Sequence, residues 1–175
     1  MISKKMTVTI NRQINAELYS AYLYFAFSSY ASHTGLTGTA TWFWVQGQEE
    51  MTHAWRFYNY LNNVGEHAVL DAIAKPPATF KSMQHMFEET LKHERKVTAL
   101  INNLVNLAVQ EKDHASREML QWFVKEQVEE EKNVTDILGK LKLAGPGNGA
   151  LFLIDKELGA RVFVMPLDLA GAATA

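Results

Sequence analysis

Apolar residues recur at helical spacing through four long stretches of the chain. Near its midpoint each stretch carries side chains that a bundle core normally excludes. In the first, Ile10, Ile14, Leu18, Ala21 and Phe25 follow i, i+4, i+7 spacing, and Glu17 sits inside that stripe. The spacing predicts a helix from about Ser3 to Ser32, ending before Gly35. The second helix is expected to start at a Thr37 cap and stop near Gly65, with Gln46, Glu50, His53, Phe57 and Leu61 on one face. The third opens near Ser82 and aligns Phe87, Thr90, Glu94, Val97, Ile101 and Leu104. The fourth begins after Asp113, aligns Leu120, Phe123, Gln127, Glu130, Val134 and Leu141, and stops before Gly145-Pro146.

The intruding residues share one depth. In an antiparallel bundle of equal helices midpoints meet at one height, so Glu17, Glu50, Glu94 and Gln127 can converge on one layer. Glu17 to Glu50 and Glu94 to Gln127 are each 33 residues apart, so the two hairpins read as a pseudo-repeat. The link from Glu66 to Lys81 is too long for a simple turn. Sixteen extended residues reach about 53 Å, and a helix of 28 residues is about 42 Å long. The link can therefore cross the bundle and start the third helix at the opposite end, with Val69, Leu70 and Ile73 expected to pack as it passes. A short amphipathic segment, Leu151 to Leu158, follows, and needs a partner surface. The expected division is one domain over 1–160 and an apolar tail over 161–175.

Composition narrows the classes. The formal charge is −2, which gives no basic surface for nucleic acid. There is no cysteine, which excludes disulfides and thiolate-held clusters and fits a reducing compartment. No stretch reads as a signal peptide or a membrane span, so a cytoplasmic protein is expected. Tyr22, Leu23, Tyr24, Phe25 and Phe27 surround the first helix, and Trp42, Phe43, Trp44 and Val45 the second. Helices apolar on several sides predict an oligomer.

The chemistry lies in the midpoint layer. Glu50-x-x-His53 puts a carboxylate and an imidazole one turn apart. The pair alone is weak evidence, because 14 Glu and 6 His produce such pairs by chance, and Glu111-x-x-His114 fits too at a helix–helix turn. Glu17 and Glu94 on facing stripes turn the pair into a carboxylate cage. Hard oxygens with one imidazole suit Fe(II), Mn(II) or Zn(II), and two bridged ions would offset the buried charge. The alternative is a hydrogen-bonded polar set that fixes bundle register. A second acidic group, Glu49, Glu126, Glu129, Glu130 and Glu131, is either a solvated face or an adjacent metal site.

The segments Asn15–Ser20, Gln48–His53, Leu120–Phe123 and Glu126–Glu131 resemble those of the prokaryotic non-haem ferritins, and Phe152–Leu158 is similar to the family's short fifth helix. The resemblance covers residues 4–160. It implies an all-α, ferritin-like four-helix bundle with one long crossover and a short C-terminal fifth helix, assembled into a hollow shell of 24 subunits. It implies an iron-storage ferroxidase that oxidises Fe(II) with dioxygen or peroxide. Glu17, Glu50 and His53 would hold one iron, and Glu50 would bridge to a second held by Glu94, with Gln127 beside the pair. Glu49, Glu126, Glu129 and Glu130 match the third iron site. Tyr24 matches the tyrosine beside the centre and Trp122 a nearby tryptophan, both able to donate electrons. Bacterioferritins repeat the E-x-x-H pair in the second hairpin, whereas here Glu94 is followed by Val97 and Gln127 by Glu130. That asymmetry argues against haem, although Met51 matches the haem-ligand position. A peroxide-consuming di-iron protein without storage, and an iron-independent cage, are the other readings of the same residues.

Overall fold

The computed structural model describes residues 2–145 and 148–170. The helices are α1 (Lys4–His33), α2 (Thr37–Asn63), α3 (Met83–Gln110), α4 (His114–Ala144), α5 (Asn148–Leu158) and α6 (Leu167–Ala170). No strand occurs among the described residues. α1 packs on α2 and α3 on α4, and the two hairpins meet along α1 and α3. The long connection between α2 and α3 runs the length of the bundle, as its reach predicts. Asparagines of α1 fasten it: Asn11 Oδ1 accepts from the Val69 amide at 2.7 Å, and Asn15 Nδ2 donates to the carbonyls of Asp71 and Ala72 at 3.2 and 3.1 Å.

Local capping sets most boundaries. Ser3, Ser82 and Asp113 each accept a backbone N–H three residues on and close the first turns of α1, α3 and α4. α4 ends at Gly145, whose φ of 61° lies in the left-handed region that terminates helices. The expected stop at Pro146 lies outside the described residues. α2 departs from expectation. Thr37 is its first helical residue rather than its cap, and Leu36 at the cap position offers no side-chain hydrogen bond. The cap comes instead from α5, where the buried Asp155 carboxylate accepts from the amides of Gly38 and Thr39, at 3.0 and 2.8 Å, and from the Thr39 hydroxyl, at 2.7 Å. The approach requires glycine, because a Cβ on Gly38 would lie 1.6 Å from the Asp155 carbonyl oxygen.

Two apolar clusters fill the bundle. One gathers Tyr24, Phe27, Phe43, Phe80, Phe87, Val134 and Ile154. The other gathers Ile10, Ile14, Phe57, Val97, Leu104, Leu120 and Phe123, with Phe57 and Phe123 stacked at 4.0 Å. Between them lie the buried polar residues Gln13, Glu17, Gln46, Glu50, His53, Glu94, Gln127 and Glu130.

Three expectations are corrected. The inner face of α1 passes through Glu17, Ala21 and Tyr24, while Leu18 and Phe25 are only partly buried. Phe25 fills the seam with α2, where a Cβ on Gly47 would come within 2.5 Å of its ring. The aromatic residues around α1 and α2 are mostly covered within the subunit. Phe80 of the crossover and Ile154 and Leu158 of α5 pack with Leu23, Phe27, Trp42 and Phe43, leaving Tyr22 and Trp44 half exposed, at 52% and 53%. On the crossover, Ala68 and Phe80 are the buried anchors, whereas Val69, Leu70 and Ile73 face outward. The tail residues 171–175 lie outside the described residues. Asp168, within α6, pairs with Arg56 of α2.

Candidate metal centre

Helical periodicity brings the midpoint residues together. From each of Glu17, Glu50 and His53, all buried, one ligand atom lies within 4.8 Å of the other two. His53 Nδ1 stands 3.2 Å from Glu50 Oε2, the i, i+3 geometry of one helical turn. Its other ring nitrogen, Nε2, faces Glu126 Oε1 at 3.8 Å, so a second triad, His53, Glu126 and Glu130, meets the same distance limit. His53 thus sits between two carboxylate groups, one nitrogen toward each.

Each carboxylate is held by a neutral donor. Gln13 Nε2 donates to Glu17 Oε1 at 2.9 Å. Gln46 Nε2 donates to Glu130 Oε2 at 2.7 Å and reaches Glu50 Oε1 at 3.4 Å. The Tyr24 hydroxyl donates to Glu94 Oε1. Thr98 Oγ1 lies 2.9 Å from Gln127 Oε1 and 2.7 Å from Glu131 Oε1, with one proton to share between the two acceptors, and the Gln127 amide nitrogen is turned toward Glu94. Glu17 Oε2 and Glu94 Oε2 are buried with no hydrogen-bond partner. Satisfied pairing is the rule for buried polar atoms, and an orphaned carboxylate oxygen costs about 1–3 kcal/mol or more.

Electrostatics point the same way. No Lys or Arg is buried among the described residues, so four buried carboxylates face a single imidazole. Burial, followed by the Glu50 charge, pushes the Glu17 carboxyl up to about 8. Burial and the Glu94 charge push Glu130 to about 8 as well. Burial and Glu130 raise Glu50 well above the carboxylate range, and burial and Glu50 do the same to Glu94. Without a cation Glu17 and Glu130 hold their protons near neutrality. Two orphaned hard oxygens, raised proton affinities and one imidazole are the donor set that suits Fe(II) or a similar divalent ion.

The second acidic group divides. Glu130 points inward and joins the layer. Glu126 is partly buried and faces His53. Glu49 is partly buried and paired with Arg161, whose charge counters the upward push of burial. Glu129 is exposed and in neither triad. Trp122 packs edge-on to His53 at 5.3 Å, with the Arg56 guanidinium 4.0 Å from its ring centroid. Tyr24 is fully buried, stacked with Phe43 at 6.0 Å. Glu111 belongs elsewhere, accepting from Ser3 Oγ at 2.6 Å, and His114 is exposed.

Sequence reasoning placed Gln46 on the inner face of α2 without a role, and passed over Gln13, Thr98 and Arg161. Gln13 and Gln46 stand four residues before Glu17 and Glu50, an amide-to-carboxylate spacing visible in the sequence that extends the 33-residue pseudo-repeat. Thr98 and Arg161 carry no such local signal.

Comparison with known proteins gives concordant results. The family model described as the ferritin-like domain matches residues 8–144. A probable bacterial non-heme ferritin-like protein of Haemophilus influenzae is 42% identical over 159 residues, 91% of this chain and 96% of that protein. A bacterial non-heme ferritin of Staphylococcus aureus is 38% identical over 163 residues, 93% and 98% of the two chains. Among solved structures, an open-pore ferritin from the hyperthermophilic archaeon Archaeoglobus fulgidus superposes with a TM-score of 0.92 at 46% identity, covering 93% of this chain and all of the other.

Proposed function

We propose, from the premise that the chain belongs to the ferritin-like family, that it is an iron-storage ferritin with a ferroxidase centre in its midpoint layer. The observation that carries this reading is the buried triad Glu17, Glu50 and His53 beside the orphaned oxygens of Glu17 and Glu94. Glu17, Glu50 and His53 would hold one iron. Glu50 would bridge to a second held by Glu94, with Gln127 hydrogen-bonding at its edge. Glu126 and Glu130, with Glu49 and Glu129 behind them, would form a third site.

Fe(II) is both substrate and cargo, and gives up one electron per ion to dioxygen or peroxide. The protein's part is electrostatic and positional. Its carboxylates release protons as cations enter, and their charge favours the ferric state. Gln13, Gln46, Tyr24 and Thr98 keep the ligands and Gln127 in place. The two apolar clusters exclude water above and below.

Tyr24 is better placed than Trp122 to supply an electron. Its hydroxyl touches Glu94, so an electron and a proton can leave together. Trp122 carries a guanidinium on its ring face, and that positive charge makes removal of an electron harder.

Assembly is proposed to follow the family pattern of a 24-subunit shell. Tyr22, Trp44 and the outward crossover residues Val69 and Leu70 supply apolar surface for contacts between copies. No helix among the described residues is long and apolar enough to cross a membrane. The test is aerobic addition of Fe(II) to the apo-protein, following ferric absorbance and then sizing the product. Oxidation at the buffer rate, or a monomer-sized product that retains no iron, overturns the reading.

A further inference from the structure

We propose that Arg161, in the segment after α5, is a tethered counter-ion for the acidic group around Glu49, which an incoming divalent cation must displace. The inference rests on reading the midpoint layer as a metal centre. Its own evidence is the placement of one side chain.

Arg161 Nη2 pairs with Glu49, and Nη1 donates to Gln46 Oε1 at 2.7 Å. The guanidinium also lies over the Trp42 ring, 4.5 Å from its centroid. The contact with Gln46 has a directional consequence. A guanidinium has donors only, so it must face the amide oxygen. The Gln46 nitrogen is thereby turned inward, where it donates to Glu130 and reaches Glu50. One cation therefore neutralises Glu49 and also keeps a donor, rather than an acceptor, aimed at two candidate ligands.

The segment is held from both sides. α5 precedes it, anchored to α2 through Asp155, and Asp168 follows it, paired with Arg56. With ends fixed in this way, Arg161 stays near Glu49 and acts at a high effective concentration. A divalent ion that takes Glu49 repels the guanidinium and replaces its ion pair. Once Arg161 swings off, Gln46 is free to rotate and present its oxygen. The result is a graded centre. The Glu17–Glu50–His53 group fills with no cationic side chain to displace, and the Glu49–Glu126 side fills only against a resident positive charge.

Calorimetric titration of the assembled apo-protein with Zn(II), a redox-inert probe, tests this, with sites per subunit counted by equilibrium dialysis. The tight binding at the inner triad, which Gln46 reaches only at 3.4 Å through Glu50, should change far less between the unaltered protein and Arg161→Gln than binding at the outer group. Binding at the outer group should be about tenfold tighter in Arg161→Gln, and Arg161→Lys, which keeps the charge, should stay close to the unaltered protein. Adding Glu126→Gln to Arg161→Gln should remove the gain, which locates it. Arg161→Met, which keeps the packing on Trp42, serves if Arg161→Gln fails to assemble. Equal outer-site affinities in all proteins overturn the proposal, as does weaker binding in Arg161→Gln, which would make Arg161 a support for the ligands. Absence of tight Zn(II) binding in every protein instead overturns the reading of the centre itself.

Discussion

Gln13 donates to one oxygen of Glu17 at 2.9 Å and leaves the other oxygen buried and unpartnered. The amide thus fixes the orientation of the carboxylate without satisfying it. The same i, i+4 arrangement recurs between Gln46 and Glu50 on the next helix. Positions that would be conflicts in an ordinary core would become coherent if a cation completed them, as proposed above.

Stability of the apo-protein should fall as pH rises from about 4.5 to about 8. Glu17 and Glu130 keep their protons up to about 8 when folded, whereas the same groups in the unfolded chain lose them near 4.5. In that window the native state binds more protons than the unfolded state, so raising the pH favours unfolding. Metal entry must expel those protons. Thermal unfolding across this range should show a declining midpoint for apo-protein, and Zn(II) should flatten the decline. Zn(II) titrations in buffers of different ionisation enthalpy should report proton release that diminishes toward pH 8. A pH-independent apo midpoint contradicts the account.

His53→Ala should slow aerobic iron oxidation by at least about a hundredfold and leave the size of the assembly unchanged, because the imidazole is the only nitrogen ligand in either triad. Stopped-flow ferric absorbance and size-exclusion chromatography measure the two effects separately. Normal oxidation in an assembled variant places the chemistry elsewhere.

Tyr24→Phe and Trp122→Phe should differ. Rapid-freeze electron paramagnetic resonance during iron oxidation should detect a tyrosyl signal in the unaltered protein and in Trp122→Phe, and none in Tyr24→Phe. Removing the hydroxyl also leaves Glu94 without that donor, which should destabilise the apo-protein by about 1–3 kcal/mol. Loss of the radical in Trp122→Phe alone would reverse the assignment.

Asp155→Ala removes the cap of α2 from a distance of more than a hundred residues in sequence. The loss of three hydrogen bonds should cost about 1–3 kcal/mol. Hydrogen exchange should show faster opening at Gly38 and Thr39 in the variant, with α3 unchanged. Protection that is unaltered at the start of α2 would mean that Asp155 is not its cap.

The candidate layer was largely legible because helical periodicity is a local code. Glu17, Glu50, His53, Glu94, Gln127 and Glu130 all fall on stripes readable from spacing, and all six are buried, although Glu94 is in neither triad. Tyr24 was legible only through the family resemblance. What spacing could not reveal is which half of a broad apolar stripe turns inward, so Leu18 and Phe25 were expected where Tyr24 lies. Contacts set by tertiary docking were equally hidden. Asp155 caps a helix whose own cap residue is leucine, and Arg161 reaches Glu49 only because α5 folds back. Val69, Leu70 and Ile73 were apolar enough to suggest packing, yet the asparagines of α1 hold this segment by its backbone and leave those side chains outward.

The charged layer divides the interior into two separate hydrophobic masses, and every long helix runs through both. Each mass draws on one half of every long helix, so the two are joined only through the polar layer and the helix backbones that cross it. Weakness at the middle is therefore not a local defect. It sets how firmly the two ends are mechanically joined, and an ion bound there acts as a cross-tie that lets the subunit bear load as one rod rather than as two blocks meeting at a joint.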